Sequence, residues 1–386
     1  MKAVKKEITF IWKNGVQKQV DEMIAAEAEK RGYRTKITDD RYAKCEIGWY
    51  CEHVNFPQFS KFSVIMLHDI TQQYSYWPDN WLREPWNKYD IGFLPSRIWE
   101  NNWNQCSQWY YANPRRGIWL AGWPKADRLA RYINTDEKER FAAEIGLDPG
   151  KPTVLYAPAW ENDGKQDDFV QAMLPLDVNI LVKQPPFAPV FREQIENVRI
   201  MYELHKDNPR VHQLDPKVNI LDAIMVSDLL VSEESSTMGE AVMMGKPAIS
   251  VSDWLIPDTT PSRLPEADPE FTIQTKKAQL GECVQDVLDH YEQYAEAAAR
   301  YAKDHFANIG KCIPMMLDVL DAVLEGRDSP YPALAPKPRQ RVPLKQWIQH
   351  ISITSSRALL NNYCVRNPLC RGIYRGYRRI RYGRDA

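Results

Sequence analysis

The run from Asp228 to Ala241 passes through Ser232, Glu233, Ser235, Ser236, Thr237 and Glu240, and closes with Gly245-Lys246-Pro247. Its apolar start reads as a strand, and the paired serines open an Ala-rich helix. A strand that delivers the chain to such a turn gathers hydroxyls and first-turn amides at one spot, which suits an anionic phosphate. Glu240 follows about one turn later, where its carboxylate can accept bonds from ribose hydroxyls. The same residues also suit an ordinary serine N-cap before a packed helix, so both readings stand at this point.

A second candidate is His68, with Asp69 beside it. The run Ser63 to Leu67 reads as a buried strand, and the carboxyl end of such a strand is where ligands sit in doubly wound folds. An imidazole titrates close to neutrality and takes a proton from an attacking hydroxyl, while Asp69 or another carboxylate orients it. A plain hydrogen bond to a loop carbonyl is the alternative role.

These groups need strands to position them. Short apolar runs alternate with helical patterns as in parallel βαβ units. Strands are expected at 8–12, 33–38, 63–67, 89–94 and 117–121, then at 153–160, 178–183, 198–202, 228–232 and 247–251. Two Ala-rich helical segments follow from about 278 to 325. A chain of 386 residues supports two cores. The polar stretch Asp148 to Pro152 marks the expected boundary, giving domains at 1–150 and 151–328, with a Pro-rich linker and basic tail at 329–386.

Composition narrows the classes. Seven cysteines fall without CxxC pairs or metal-like histidine spacing, so reduced thiols are expected, with neither a disulfide framework nor a metal site. No apolar run is long enough to span a bilayer, and the start leads straight into a strand pattern rather than a signal-peptide core. A cytoplasmic protein is the expectation. Thirteen Trp and Tyr rings crowd 74–123, suited to stacking on an acceptor sugar or to a bilayer interface, with core packing as the ordinary alternative.

Four segments together resemble the CDP-glycerol glycerophosphotransferases, the teichoic-acid polymerases and primases, and more distantly the UDP-N-acetylglucosamine 2-epimerases. They are Asp228 to Ala241, Val154 to Trp160 (like the family's "YAPTW"), Gly122 to Leu129 (like "G-x-P-R-x-D-x-L") and Phe306 to Lys311 (like "F-x-x-x-G-K"). The resemblance implies a GT-B fold, α/β, with two Rossmann-like doubly wound domains facing a cleft. Acceptor binding would fall to the first domain and donor binding to the second. It makes His68 the catalytic base, with Asp69, and places Lys183, Ser235, Ser236, Thr237, Glu240, Pro158 and Trp160 around the donor. Two departures stand out. Leu67-His68-Asp69 replaces the family's "His-Gly", and Lys183-Gln184-Pro185-Pro186 lacks the histidine of "Lys-x-His-Pro". His205 or His212 is a candidate replacement.

The tail is the clearest electrostatic feature. Residues 337–386 hold twelve Lys or Arg against one acid, Asp385, so the rest of the chain carries about −12. The linker at 329–338 is expected to hold this tail away from the body. Arg371, Arg375, Arg378, Arg379 and Arg381, interleaved with Tyr and Ile, suit anionic lipid headgroups; the body's resemblance favours membrane over nucleic acid, and a disordered solubilising tail is the ordinary alternative.

The expected enzyme is a metal-independent transferase without a cofactor, at the inner face of the cell membrane. It moves glycerol phosphate, or a related polyol phosphate, from a CDP-activated donor to a hydroxyl of a cell-surface glycan or lipid-linked acceptor. A GT-B glycosyltransferase using a UDP- or CDP-linked sugar is the alternative, and a non-catalytic nucleotide- or glycan-binding membrane subunit is a third reading.

Overall fold

A computed structural model describes residues 6–13, 15–52, 55–67, 79–132, 135–158, 166–187, 189, 191–233, 235–253, 270–360, 369–370 and 372. The first sheet uses β1 (Glu7–Ile11), β2 (Arg34–Thr38), β3 (Cys45–Cys51), β4 (Ser60–Met66), β5 (Ile91–Leu94) and β6 (Gly117–Leu120), with helices α1 (Gly15–Lys30) and α2 (Arg97–Cys106) between them. Next come α3 (Leu129–Tyr132) and α4 (Thr135–Glu144), then β7 (Thr153–Tyr156), α5 (Gln166–Met173), β8 (Asn179–Lys183), α6 (Arg192–His205) and β9 (Val211–Leu214). The chain continues through α7 (Ile220–Val226), β10 (Leu229–Ser232), α8 (Thr237–Met243), β11 (Ala248–Val251) and β12 (Ile273–Thr275). Helices α9 (Leu280–Asp289), α10 (Tyr291–His305), α11 (Cys312–Leu324) and α12 (Leu344–Leu360) complete it.

Two sheets of six strands result, ordered β2-β1-β3-β4-β5-β6 and β12-β11-β10-β7-β8-β9. The described strand pairs are all parallel. Parallel sheets must be covered on both faces, which explains the near-continuous burial of strands such as Ile91–Leu94 and Asn179–Lys183. The architecture is the expected GT-B class of two Rossmann-like α/β sheets.

By contacts, nearly all of the chain up to Asp127 joins the stretch from His305 through α12 in one compact unit, and Arg128–Asp304 makes most of the other. This differs from the expected boundary at 150 and from the expected end of the second domain at 328. The cause is α11, whose buried Ile313, Met316, Leu317 and Leu320 pack with Val20, Ile24 and Ala28 of α1 and the first sheet in one core. Each such fully buried side chain contributes about 1.5–3 kcal/mol. Asp127 fixes the start of α11 by accepting from the amides of Cys312 at 2.8 Å and Ile313 at 2.7 Å. Close by, Gly122 has φ +91, and a Cβ there would lie 2.3 Å from the carbonyl oxygen of Ala307.

Three expectations are corrected. The apolar run 198–202 belongs to helix α6, where Met201 and His205 are buried while Ile200 and Tyr202 are exposed. Strand β3 was not foreseen. The Pro-rich linker is not a free spacer, because Trp119 Nε1 donates to the Tyr331 carbonyl at 3.1 Å and the Leu334 amide to Ile118 O at 2.8 Å. Further along, the Lys337 amide donates to Ser107 Oγ at 3.0 Å. Among the described residues, no helix is long and apolar enough to cross a membrane.

Asp127→Ala removes the anionic cap of α11 while leaving its apolar contacts in place. The variant should lose about 1–2 kcal/mol, read as a lower urea midpoint with an unchanged slope.

Candidate functional site

In the second unit, the chain moves from β7 to β8 on one side and from β10 to β11 on the other, so the crossovers diverge between β7 and β10. Ligands of open α/β sheets bind outside the carboxyl ends of strands at such a point. The two strand ends are laced together there, with the Ala157 amide donating to Val231 O at 3.0 Å and Ser232 Oγ to Ala157 O at 2.6 Å. Pro158 follows, buried, while Trp160 lies outside the described residues.

The serine turn opens α8, as the sequence led us to expect, with Ser235 buried and Ser236 and Thr237 half-buried. The turn is more self-contained than expected. Ser235 Oγ accepts from Thr237 N at 3.2 Å and from Thr237 Oγ1 at 2.8 Å. The Met238 amide donates to Ser235 O at 3.2 Å and the Gly239 amide to Ser236 O at 3.0 Å. First-turn amides are thus already partnered, and the polar offering is chiefly the hydroxyls. Ser236 makes no cap bond of its own.

Lys183 ends β8, next to β7. Its Nζ donates to the carbonyls of Gln184 at 2.7 Å and Pro216 at 2.9 Å, which uses two of its three N–H bonds. Burial pushes its pKa down to about 8, against the pull of the Asp215 and Glu240 carboxylates. Glu240 is itself buried on α8. Lys183, Asp215, Glu240 and the Ser235 turn are therefore brought to one edge of the sheet. Gln184, 4% exposed with neither end of its amide hydrogen-bonded, lines a cavity of about 280 Å³ with Val182, Tyr202, Gln213, Asp215 and Pro216.

The two candidate replacement histidines are engaged elsewhere. His205 Nε2 pairs with Asp167 Oδ1 at 2.6 Å, and His212 Nδ1 bonds the Ile145 carbonyl at 3.1 Å. His212 also lies level with Leu181, two residues short of the edge that Lys183 reaches.

In the first unit, crossovers diverge between β1 and β3. At the carboxyl end of β1, Lys13 Nζ donates to Cys51 O at 3.2 Å, and its amide donates to Gln17 Oε1 at 3.0 Å. Burial and the neighbouring Arg41 guanidinium lower the Lys13 pKa to about 8, opposed by Glu52 and Glu84. Glu52, at the end of β3, adopts φ +56, a conformation that costs a residue with a side chain about 1 kcal/mol or more. It is held by Asn55 Nδ2 donating to its carbonyl at 2.7 Å and by its own amide donating to Met66 O at 2.9 Å. Nothing in the sequence flagged this cluster, because locating it requires β3. His68 and Asp69 lie outside the described residues, two and three positions beyond Met66 in the chain.

The aromatic region is mostly core. Trp81, Trp86, Trp99, Trp103, Tyr89 and Tyr111 are fully buried, with Trp81 edge-on to Trp86 at 5.9 Å and to Trp99 at 6.4 Å. Trp109 and Tyr110 are half-buried, and Tyr74, Tyr76 and Trp77 lie outside the described residues. Likewise Arg371, Arg375, Arg378, Arg379 and Arg381 are not among those described. No group of three or more His, Cys, Asp or Glu able to hold a metal ion occurs among the described residues.

Residues 66–256 match the family CDP-glycerol:poly(glycerophosphate) glycerophosphotransferase. No curated protein matches. Among solved structures, the wall teichoic acid polymerase TagF is similar at 15% identity and TM-score 0.59, over 84% of this chain and 90% of that one. A putative UDP-N-acetylglucosamine 2-epimerase from Listeria monocytogenes is similar at 16% identity and TM-score 0.58, over 86% of this chain and 100% of that one. S. aureus MnaA, in a structure with UDP, gives 12% identity and TM-score 0.57, over 85% and 100%. These likenesses concern the fold.

Lys183 offers a pH test. Its charge is present well below its pKa of about 8 and is lost as pH rises through that value. An anionic nucleotide held by this ammonium should bind about tenfold more weakly above pH 9 than at pH 7 by titration calorimetry, and Lys183→Met should flatten the profile. The depressed pKa makes the unfolded chain the better proton binder between about 8 and the ordinary lysine value, so this group favours folding as pH rises and the loss is not unfolding.

Proposed function

We propose, from the match of residues 66–256 to the CDP-glycerol:poly(glycerophosphate) glycerophosphotransferase family, that the chain transfers glycerol phosphate from CDP-glycerol to a hydroxyl of a cell-surface glycan or lipid-linked acceptor. The observation that carries the donor side is the meeting of Lys183, Glu240 and the Ser235 turn at the point where the second sheet's crossovers diverge.

His68 takes the proton of the acceptor hydroxyl, with Asp69 orienting the imidazole. The hydroxyl oxygen attacks the phosphorus bonded to glycerol, the bond from that phosphorus to the bridging oxygen breaks, and CMP leaves with the electron pair. Hydroxyls of Ser235, Ser236 and Thr237 and the remaining N–H of Lys183 hold the diphosphate and stabilise the charge that grows on CMP. Glu240 accepts from the ribose, and Pro158 and Trp160 border the donor from the end of β7. Gln184, whose amide can both donate and accept, reads a hydrogen-bonding edge of the donor in the adjoining cavity. Direct participation of a metal is not needed in this scheme. On the acceptor side, the Lys13, Arg41 and Glu52 cluster suits a polyol phosphate, which offers one anion and several hydroxyls.

A nucleotide-sugar glycosyltransferase is the second reading, favoured by Gln184-Pro185 in place of the family's histidine. It differs in releasing a nucleoside diphosphate instead of CMP. The basic segment adds a location. Arg371, Arg375, Arg378, Arg379 and Arg381 hold the enzyme peripherally at an anionic membrane, each charge near the surface contributing about 1 kcal/mol.

Incubation with CDP-glycerol and a lipid-linked or glycan acceptor should release CMP. His68→Ala should abolish that release while donor affinity stays within about threefold, since the base touches the acceptor hydroxyl and not the nucleotide. Full activity in this variant would remove His68 from the mechanism. Deletion of 361–386 should weaken binding to anionic vesicles, most at low salt, without moving the melting temperature.

A further inference from the structure

Helix α12 has two unlike faces. On one, His350 is buried, stacked on Tyr111 at 5.1 Å and 22° and edge-on to Tyr110 at 5.4 Å. Gln346, Ile353 and Thr354 are half-buried on the same side, as helical spacing requires. On the other, Leu344, Trp347, Ile348 and Ile351 are 71%, 46%, 54% and 38% exposed. They recur at i, i+3, i+4 and i+7, the pattern of a continuous apolar stripe. Four large apolar side chains aligned in water mark a surface that something covers.

The helix is not a swinging arm. The strap before it is bonded to the first unit through Leu334, Lys337 and Gln340, whose amide donates to Gln108 O at 3.0 Å. The Arg339 guanidinium lies over the Tyr110 ring at 5.7 Å, and the Trp347 amide donates to Pro343 O at 2.8 Å to start the helix. The direction of the stripe is thereby fixed relative to the first sheet.

What covers the stripe follows from charge. It lies within residues 337–386, which hold twelve Lys or Arg and one acid. A second copy meeting this face about a two-fold axis would bring two such basic segments together, which like charge opposes. An anionic bilayer answers both features, because apolar side chains enter the headgroup boundary while cations stay beside the lipid phosphates. We propose that α12 is an interfacial helix that inserts Leu344, Trp347, Ile348 and Ile351 into an anionic bilayer and so sets which side of the first unit faces the membrane. This rests on the peripheral-membrane reading above and assigns the insertion to a docked helix rather than to the arginine-rich end alone.

The test is co-sedimentation of the full chain with phosphatidylcholine vesicles, with and without phosphatidylglycerol. Wild type should partition onto the anionic vesicles, and L344E/I348E should partition at least about tenfold less at the same salt, with melting temperature and donor turnover on a water-soluble acceptor unchanged. Equal binding by the variant overturns the role of α12. So does light scattering that shows a wild-type dimer made monomeric in L344E/I348E while vesicle binding persists. Failure of wild type to bind either vesicle would remove the membrane reading as a whole.

Discussion

A parallel sheet covered on both faces leaves one place where a ligand can reach the middle of the strands, the carboxyl edge where crossovers part. Both sheets of this protein obey that constraint, and most of the polar side chains discussed above answer to it. Between β7 and β10, the lacing of Ala157 to Val231 and of Ser232 to Ala157 closes the strands against each other up to their last residues. Whatever enters must therefore do so beyond Pro158 and the Ser235 turn. Between β1 and β3, the ammonium of Lys13 occupies the corresponding place and is tied to the last carbonyl of β3.

Among the described residues, three lysines have pKa values pulled down by burial, Lys13 to about 8, Lys183 to about 8 and Lys246 to about 7. The size of the shift does not separate chemistry from architecture. Lys246 is shifted most, yet its ammonium donates to the carbonyls of Met225 at 2.9 Å and of Ser227, where it closes the end of α7. Lys13 and Lys183 also bond backbone carbonyls, but they stand at carboxyl edges with carboxylates in reach. Position along the strand distinguishes them, because a buried cation at the amino edge has only the fold to serve.

The strand, turn and helix around Ser235 were readable in the sequence because they are local. A strand, a serine turn and a helix within Asp228–Ala241 need no partner to be recognised, although the bonds that Ser235 makes to Thr237 could not be seen. The first unit was less readable because its divergence point depends on β3. Strand β3 contains Gly48, where a Cβ would lie 2.5 Å from Ser60 Oγ and 2.6 Å from the Tyr50 ring, so its interruption of the apolar pattern is a packing requirement and not a turn. Without β3 the neighbours of Lys13 have no address. The run at 198–202 failed for the converse reason, since apolar residues exposed on α6 imitate a buried strand. Helix α11 follows second-unit helices in sequence, and only long-range packing reveals that it covers the first sheet.

The four segments that resemble the glycerophosphotransferases divide by physical role. Gly122 to Leu129 and Phe306 to Lys311 are two sides of one joint. Asp127 caps α11, Asn308 Nδ2 donates to Leu120 O at 2.9 Å, and Gly122 leaves room for the Ala307 carbonyl. That joint returns the chain to the first sheet and needs no ligand to explain it. Val154 to Pro158 and Asp228 to Ala241 instead meet at the divergence of the second sheet, where the fold leaves hydroxyls and charge. The described departure from the family pattern, Gln184-Pro185 after Lys183, falls on this second side and borders the cavity beside it. A change there leaves the joint and both sheets as they are. Its consequence is confined to the edge of β8, so the two-sheet architecture is kept while the hydrogen-bonding character of the cavity that Gln184 lines is altered.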